Sequence, residues 1–438
     1  MEKFDLTILG GGILGTCLSY WSSLLYEGKI AVLEKEKDVA LHTSGRNTGV
    51  VHRPFYLNPE KKKVFARSAQ ISYHLWKKYA LLRNLPWKEI GTIEVAVEKE
   101  EVNSLEKYMS WALQNGMDES EVEYLSGEQV RAKEPYVHCL GAVFSKTDTS
   151  VDYKSFTSSI KEEARDQGVD FLFNFEVGKI FVENELLKIV NSRDGSIIET
   201  KFLINCLGGQ AIDCAHKMRV GMEYTDLHFR GEYWQIHPDQ AKCIERNIYS
   251  VPRHKELPFL DPHWIVRSDG RREIGPNAVL VSGAETYSGF FNSAGELLKK
   301  IFERPMTNKF KLFTNPEFLK LAKEEWMSSI SKKNMLKRVQ RFIPHLKSNF
   351  LIQKGSAGVR SSVIDPNGCF AKEVVELESP TSYHILNYNS PGATGAPAYT
   401  AFLIDKLEKK GLLKGLKKRK IGLKSFWDYE EIMENFNF

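Results

Sequence analysis

Three glycines near the start of the chain have the spacing of a phosphate-binding turn. A largely apolar run leads straight into Gly10, Gly12 and Gly15, which form G-x-G-x-x-G. The first glycine permits a tight turn, the second lets the backbone approach a pyrophosphate, and the third lets helix and strand pack closely. A second apolar run ends on Glu34, where a carboxylate can accept from a ribose hydroxyl. The pattern predicts a dinucleotide site.

Two other stretches supply polar groups that suit a cofactor. Ser44, Arg46 and Asn47 place a hydroxyl, a cation and an amide in one glycine-flanked loop. The segment 389–396 is small and glycine-rich just before a helix, so its N–H groups can approach a cofactor ring and stabilise negative charge. Taken alone, the first stretch also fits a solvated turn and the second a helix-capping turn.

The elements around these residues predict an α/β fold, α+β overall. The apolar strand at 201–208 can return to the nucleotide-binding sheet, the region 232–275 has short strands with hairpin signals, and a closing helix is expected at 398–409. We expect a Rossmann-like cofactor domain, assembled from separated segments, with an inserted antiparallel β-rich substrate domain. The expected boundaries are 1–82, 151–215 and 350–410 for the cofactor domain, 83–150 and 216–349 for the substrate domain, and 411–438 for a basic C-terminal tail.

Composition narrows the class of protein. Of 438 residues, 42% are hydrophobic and 27% charged, which is typical of a globular protein with two or three domains. Glycines and weak positive charge argue against a signal peptide or membrane anchor at 6–26. Six cysteines show no C-x-x-C and no metal-ligand spacing, which predicts reduced thiols in a cytoplasmic compartment and no metal site. The net charge of +5 is modest, and no nucleic-acid-binding module is evident.

The C-terminal region is strongly basic. Residues 409–424 are rich in lysine and contain no acidic residue. We favour a solvated tail. The alternative is peripheral contact with anionic lipid, because lysines near a membrane surface are attracted to it.

The loop 42–52, HTSGRNTGVVH, resembles the flavin-contacting loop of the D-amino-acid-oxidase-type FAD-dependent oxidoreductases. Within that superfamily the chain is most similar to the L-2-hydroxyglutarate oxidase/dehydrogenase family. Four further motifs occur in family order, RGEY at 230–233, GPNA at 275–278, AGVR at 357–360 and NSPGATGA at 389–396. The resemblance spans residues 4–405 and implies that the dinucleotide is FAD rather than NAD.

The resemblance also implies which residues bind FAD. It assigns backbone contacts with adenine to Val177, places Gly208 at the border of the cofactor, and puts His42 on the cofactor side. The full expected set is Gly10, Gly12, Ile13, Leu14, Gly15, Glu34, Lys35, Thr43, Ser44, Arg46, Asn47, Val177, Gly208, Asn389, Pro391, Gly392, Ala393 and Thr394.

The reaction implied by the resemblance is oxidation of an (S)-2-hydroxy acid, first of all L-2-hydroxyglutarate, to the 2-oxo acid. Arg360 stands where the superfamily places a carboxylate-binding arginine, and its planar fork suits bidentate recognition. A surface ion pair is the alternative for Arg360. His52 is the expected base for the hydroxyl proton, because imidazole titrates near neutrality. His263, which also matches a family position, is the second candidate.

Two rival functions remain open from the sequence. The same scaffold could oxidise an amino acid or glycerol 3-phosphate, or the chain could bind flavin without efficient turnover. The electron acceptor is equally open among oxygen, a quinone and a carrier protein.

One position departs from the family pattern. After His52 the family has small residues, whereas this chain has Arg53 followed by Pro54 and Phe55. Arg53 could pair with a distal substrate carboxylate, narrow the site for a different acid, or point to solvent. The departure puts 2-hydroxyglutarate in question, but not the class of 2-hydroxy acids.

Overall fold

The computed structural model describes residues 2–253, 261–290, 292, 294–420 and 425–436. Helices in this part of the chain lie at Ile13–Leu25, Lys63–Arg83, Lys99–Gln114, Gly127–Lys133, Tyr153–Asp166, Ala211–Lys217, Pro238–Ala241, Ala294–Ile301, Met306–Phe313, Pro316–Ile330, Lys332–Val339, Gly392–Lys409 and Tyr429–Phe436. Among them, none is long and apolar enough to cross a bilayer.

The cofactor sheet is centred on the first strand, Glu2–Leu9. This strand pairs in parallel with Ile30–Leu33 on one side and with Ile197–Asn205 on the other. All four residues of Ile30–Leu33 are buried, as expected for a parallel strand covered on both faces. The order across the sheet is Val169–Leu172, Ile30–Leu33, Glu2–Leu9, Ile197–Asn205, Leu186–Asn191 and Val177–Glu183, with Ser382–Asn387 also on Ile197–Asn205 and Val375–Ser379 beyond it. The predicted return of the 201–208 strand to this sheet is confirmed.

The substrate sheet is a separate, mostly antiparallel sheet. Its strand order is Leu351–Lys354, Trp234–Ile236, Arg272–Gly275, His263–Val266, Asn247–Ser250, Thr92–Ala96, Gly141–Ser145 and Val122–Ser126. The prediction of an antiparallel middle region holds except at one pair, because Asn247–Ser250 runs parallel to Thr92–Ala96.

Three small sheets complete the fold. A sheet of Val279–Val281, Thr225–Gly231 and Gly358–Ile364 carries Arg360, and a sheet of Val50–Val51, Thr149–Ser150 and Lys88–Glu89 lies next to His52 along the chain. The remaining pair is Tyr26–Glu27 with Lys417–Lys418.

The helix Gly392–Lys409 begins six residues before the predicted start. Glycine and proline weaken the helical signal in its first turns. Tertiary contacts hold those turns in place: Trp76 Nε1 donates to Thr394 O and Trp21 Nε1 donates to Pro397 O, both at 2.9 Å. Tertiary structure therefore overrides local propensity here.

The prediction of a solvated C-terminal tail holds for the side chains of lysines such as Lys409 and Lys417, which are exposed, but not for the backbone, which is docked on the fold. Lys417 and Lys418 pair with the strand Tyr26–Glu27, and the indole of Trp427 is 2% exposed. The Trp427 ring packs against Trp21, 5.7 Å between centroids, and Nε1 donates to Leu75 O at 2.9 Å. The many lysines of this region give no sequence signal for the apolar contacts of Trp427. Residues 421–424 lie outside the described residues.

Candidate active site

A continuous cleft runs along the carboxyl edge of the cofactor sheet. Its first chamber, about 310 Å³, is lined by Glu34, Lys35 and Val177. Its second chamber, about 290 Å³, is lined by His52 and Arg360. The two chambers share the residues Gly12, Thr43, Ser44, Cys206, Gly208 and Gly209. An elongated ligand with two different ends fits this shape.

The glycine turn is crowded by backbone. Gly10 has φ +100°, and a Cβ there would lie 2.7 Å from Cys206 O. A Cβ on Gly15 would lie 2.1 Å from Gly10 O, so this glycine sets the packing of helix on strand and lines neither chamber. The helix Ile13–Leu25 begins at Gly12 without a side-chain cap. Its first turn therefore offers N–H groups and a positive dipole end to a phosphate.

Glu34 is held in the first chamber by two main-chain donors. Gly11 N donates to Oε2 at 2.7 Å and Glu36 N donates to Oε1 at 2.9 Å. The carboxylate is buried. Each oxygen keeps a further acceptor position, as ribose recognition requires.

Polar pairs close the outer side of the first chamber. Lys35 contacts the carboxylate of Glu285, and His42 Nδ1 lies 2.6 Å from the Tyr287 hydroxyl. Val177 lines the same chamber. His42 thus lies on the side where the sequence placed it.

The polar residues of the loop 42–52 contact protein groups both within and outside the loop. Thr43 Oγ1 donates to Val359 O at 3.0 Å, and Asn47 Nδ2 donates to Ser44 O at 2.8 Å. Arg46 donates through Nε to Leu41 O at 3.0 Å and lies 4.2 Å from the Tyr287 ring centroid. Ser44 Oγ accepts from Ile13 N at 2.9 Å, which joins the loop to the glycine turn.

The start of the helix Gly392–Lys409 forms another wall of the second chamber. Asn389, Pro391, Gly392, Ala393 and Thr394 all line it, together with Ile13 and Leu14 from the first helix. Gly392 N donates to Asn389 O at 2.6 Å. The cleft thus collects the expected cofactor residues from segments that are hundreds of residues apart.

His52 reaches the second chamber with a carboxylate behind it. Its Nδ1 lies 3.2 Å from Oδ2 of Asp148, which is fully buried. Its main-chain N–H donates to Thr394 Oγ1 at 3.1 Å. Because Asp148 engages Nδ1, Nε2 is the ring nitrogen that serves the chamber.

Arg360 also lines the second chamber. It lies on the strand Gly358–Ile364, paired with Phe229 of Thr225–Gly231. Burial lowers the pKa of Arg360 to about 10. The guanidinium therefore stays charged at neutral pH, which suits a carboxylate ligand.

Arg53 lines neither chamber and is buried from solvent, so none of the three alternatives (pairing with a distal carboxylate, narrowing the site or pointing to solvent) holds. Its side chain is fully buried, and Nη1 and Nη2 donate to the two oxygens of Glu121 at 2.5 and 2.8 Å. Thr147 Oγ1 and Gln70 Oε1 accept further hydrogen bonds at 2.8 and 3.0 Å. The guanidinium of Arg53 is thus engaged by protein groups. Arg53 therefore gives no reason to doubt 2-hydroxyglutarate as the substrate.

His263, the second candidate for the base, does not line either chamber. Its ring stacks on Tyr249 with 3.8 Å between centroids. Burial lowers the pKa of His263 to about 3, so the ring is neutral and a weak proton acceptor. The structure does not support a catalytic role for it.

Sequence reasoning missed Asp148 and assigned no role to Tyr233 or Asn277. Tyr233 and Asn277 line the second chamber. They belong to the RGEY and GPNA motifs, which are the sequence signal that could have identified them. Asp148 has no comparable signal, because a lone aspartate in a turn is ordinary.

Comparison with known proteins decides the family. The family model of FAD-dependent oxidoreductases designated DAO matches residues 5–405. The chain belongs to this family. It is similar to the mitochondrial L-2-hydroxyglutarate dehydrogenases of Caenorhabditis elegans, at 32% identity over 91% of this chain and 92% of the relative, and of Homo sapiens, at 29% over 93% and 89%.

Solved structures show the same fold. The L-alpha-glycerophosphate oxidase of Mycoplasma pneumoniae superposes with a TM-score of 0.72 at 21% identity, over 96% of this chain and 98% of the other. The glycine oxidase of Geobacillus kaustophilus gives 0.69 at 15%, over 97% and 98%. At these identities the likeness establishes the fold alone.

FAD is the cofactor of this oxidoreductase, and the cleft fits it. Glu34 is placed for the ribose, the first turn of Ile13–Leu25 for the pyrophosphate, and 389–394 for the ring. The crowded Gly10 and Gly15 keep the backbone of this cradle close to its ligand.

Proposed function

We propose that this enzyme oxidises L-2-hydroxyglutarate to the 2-oxo acid. The observation that carries the proposal is that one chamber holds both a carboxylate-backed imidazole, His52, and a buried guanidinium, Arg360. A 2-hydroxy acid needs these two groups, one for its hydroxyl proton and one for its carboxylate. Similarity to L-2-hydroxyglutarate dehydrogenases over nine-tenths of the chain supports the choice of acid.

The reaction removes a hydride from C2 and a proton from the hydroxyl, leaving a ketone. FAD supplies the two-electron acceptor for the hydride when it is bound. The protein's own tasks are to hold the carboxylate, orient C2 and accept the proton.

Arg360 performs the first two tasks. Its planar fork can bind both oxygens of a carboxylate, which fixes the direction in which C2 faces. Burial strengthens the attraction, because partly desolvated charges interact more strongly than charges in water.

His52 performs the third task. Neutral imidazole with its proton on Nδ1 presents a lone pair on Nε2 to the chamber. The hydroxyl proton moves to Nε2 as the C2–H bond breaks. The resulting imidazolium faces Asp148, whose charge stabilises it.

Anaerobic flavin reduction by a small panel of compounds tests the proposal. We expect bleaching by L-2-hydroxyglutarate and little by D-2-hydroxyglutarate, L-glutamate or glycerol 3-phosphate. L-glutamate is the matched control, because it differs from the proposed substrate only in an amine for the hydroxyl. Faster bleaching by L-glutamate or glycerol 3-phosphate would establish a rival substrate class. No bleaching by any of them would favour a flavin-binding protein without turnover.

A further inference from the structure

We propose that Asp148 is a positioning residue that fixes the tautomer of His52 and thereby makes Nε2 the proton acceptor. This inference rests on the proposed function for its catalytic consequence. Its structural part, the state of the His52 ring, can be measured without substrate.

The carboxylate of Asp148 is fully buried and receives three donors. Oδ1 accepts from Ser145 Oγ at 2.6 Å and from Arg53 N at 3.1 Å, while Oδ2 faces His52 Nδ1 at 3.2 Å. A buried carboxylate needs such donors, because its oxygens have no water to bind. The two donors on Oδ1 leave Oδ2 to the imidazole, so Nδ1 carries the ring proton.

Arg53 supplies one of the three donors that hold the carboxylate of Asp148. Its guanidinium is anchored by Glu121, and its main-chain N–H is one of the donors to Asp148. This donor belongs to the main chain, which any residue except proline would supply at this position. Arg53 acts on the geometry of the chamber without touching its ligand.

Among the groups around His52, Asp148 is the charged group that determines the state of the ring. Burial raises the pKa of Tyr56, Tyr153 and Tyr249 above its ordinary value, and burial lowers that of His263, so all four are neutral near pH 7. Other charged groups lie next to these residues: Glu94 acts on Tyr56, and Arg267 acts on Tyr249. Asp261 and Arg338 act on His263, and the ion pair of Arg53 with Glu121 lies nearby along the chain. Only Asp148 is within hydrogen-bonding distance of the His52 ring among the described residues.

The substitution D148N tests the tautomer directly. The two donors on Oδ1 would retain the amide oxygen there, so the amide nitrogen would face His52 and donate to Nδ1. The ring proton would then move to Nε2, and Nε2 could no longer accept. We expect ¹⁵N NMR of the histidines, with His52 assigned by its loss in H52Q, to show Nδ1–H in the wild type and Nε2–H in D148N.

The kinetic consequence is a loss of flavin reduction on the order of 100-fold, in kcat rather than in KM. In the H52Q background D148N should add little, because both changes act on one group. E134Q is the structural control: Glu134 is another buried carboxylate, which accepts from Arg246 Nη1 at 2.9 Å away from the cleft. We expect it to lower thermal stability without changing the His52 tautomer or the reduction rate.

Two results would overturn the inference. One is retention of Nδ1–H on His52 in D148N; the other is a D148N effect that is as large with Gln at position 52 as with histidine. If no panel compound reduces the wild-type flavin, the proposed function fails, whereas the tautomer measurement still decides whether Asp148 positions His52.

Discussion

The two chambers of the cleft are built in different ways. Beside the first, the glycine turn depends on close main-chain packing, where Gly10 and Gly15 bring strand and helix together. The second brings together two side chains from distant positions, Arg360 and His52, and His52 contacts the buried Asp148 behind it. Binding a cofactor common to many enzymes requires a standard backbone turn, whereas choosing a substrate requires a particular set of side chains.

A single methyl group added at the glycine turn is the harshest way to probe this difference. We expect G15A to lose FAD, because its Cβ would meet the carbonyl oxygen of Gly10 at 2.1 Å and neither group is on a flexible side chain. The cost of such overpacking is about 3 kcal/mol. Flavin absorbance per mole of purified protein measures it.

The control for that change is G415A. A Cβ on Gly415 has no neighbour within 4 Å, so flavin content should stay at the wild-type level. A G15A protein with full flavin content would contradict a cradle built by close backbone packing.

The back of the cofactor sheet allows a second test. W427A should lower the free energy of unfolding by about 3–4 kcal/mol, because it removes a buried indole that packs on Trp21 and Trp76. Denaturant unfolding followed by flavin release measures the loss. W326A, at an exposed tryptophan, should cost far less. Equal losses in the two variants would mean that the tail is not part of the cofactor domain's core.

The ion pair between Arg53 and Glu121, near the second chamber, predicts that the stability of the fold depends on pH. Burial acts to raise the pKa of Glu121, but the hydrogen bonds and charge of Arg53 outweigh it and hold that pKa below its usual value. The ion pair thus stabilises the fold fully above the unfolded pKa of about 4.3, and the stabilisation is lost as the pH falls through the lowered folded pKa.

The matched variants are E121Q and E119Q. At pH 7 we expect E121Q to lower the free energy of unfolding by about 2 kcal/mol, less than the roughly 3–5 kcal/mol for a fully buried pair, because the side chain of Glu121 is 19% exposed. Its acid-dependent loss of stability should be smaller than that of the wild type. E119Q, at the exposed neighbour, should follow the wild type at every pH.

The difference between the chambers also explains what the sequence could predict. The glycine turn, Glu34 and the return of the 201–208 strand follow from local patterns, because a parallel strand and a phosphate-binding turn each impose a short signature. The early start of the last long helix does not follow, since Trp21 and Trp76 stabilise it from elsewhere in the chain.

Arg53 and Arg360 show most clearly what the sequence alone could not predict. Arg53 and Arg360 are equally good carboxylate ligands as residue types, and only the fold separates them. Glu121 lies in a turn 68 residues after Arg53, and no local pattern announces the pair. Asp148 was missed for the same reason.

The central claim is that Arg360, which lines the second chamber beside the segment 389–394, binds the carboxylate of the substrate and is not needed to hold FAD. Anaerobic stopped-flow reduction by L-2-hydroxyglutarate, comparing the wild type with R360A, tests it most directly, with R193A at an exposed arginine as the control. We predict that R360A keeps its flavin but loses reduction at low substrate concentration on the order of 100- to 1000-fold, as expected for removing a buried charge-assisted contact, with partial recovery in R360K. An R360A protein with full flavin content that is reduced as fast as the wild type would contradict the account.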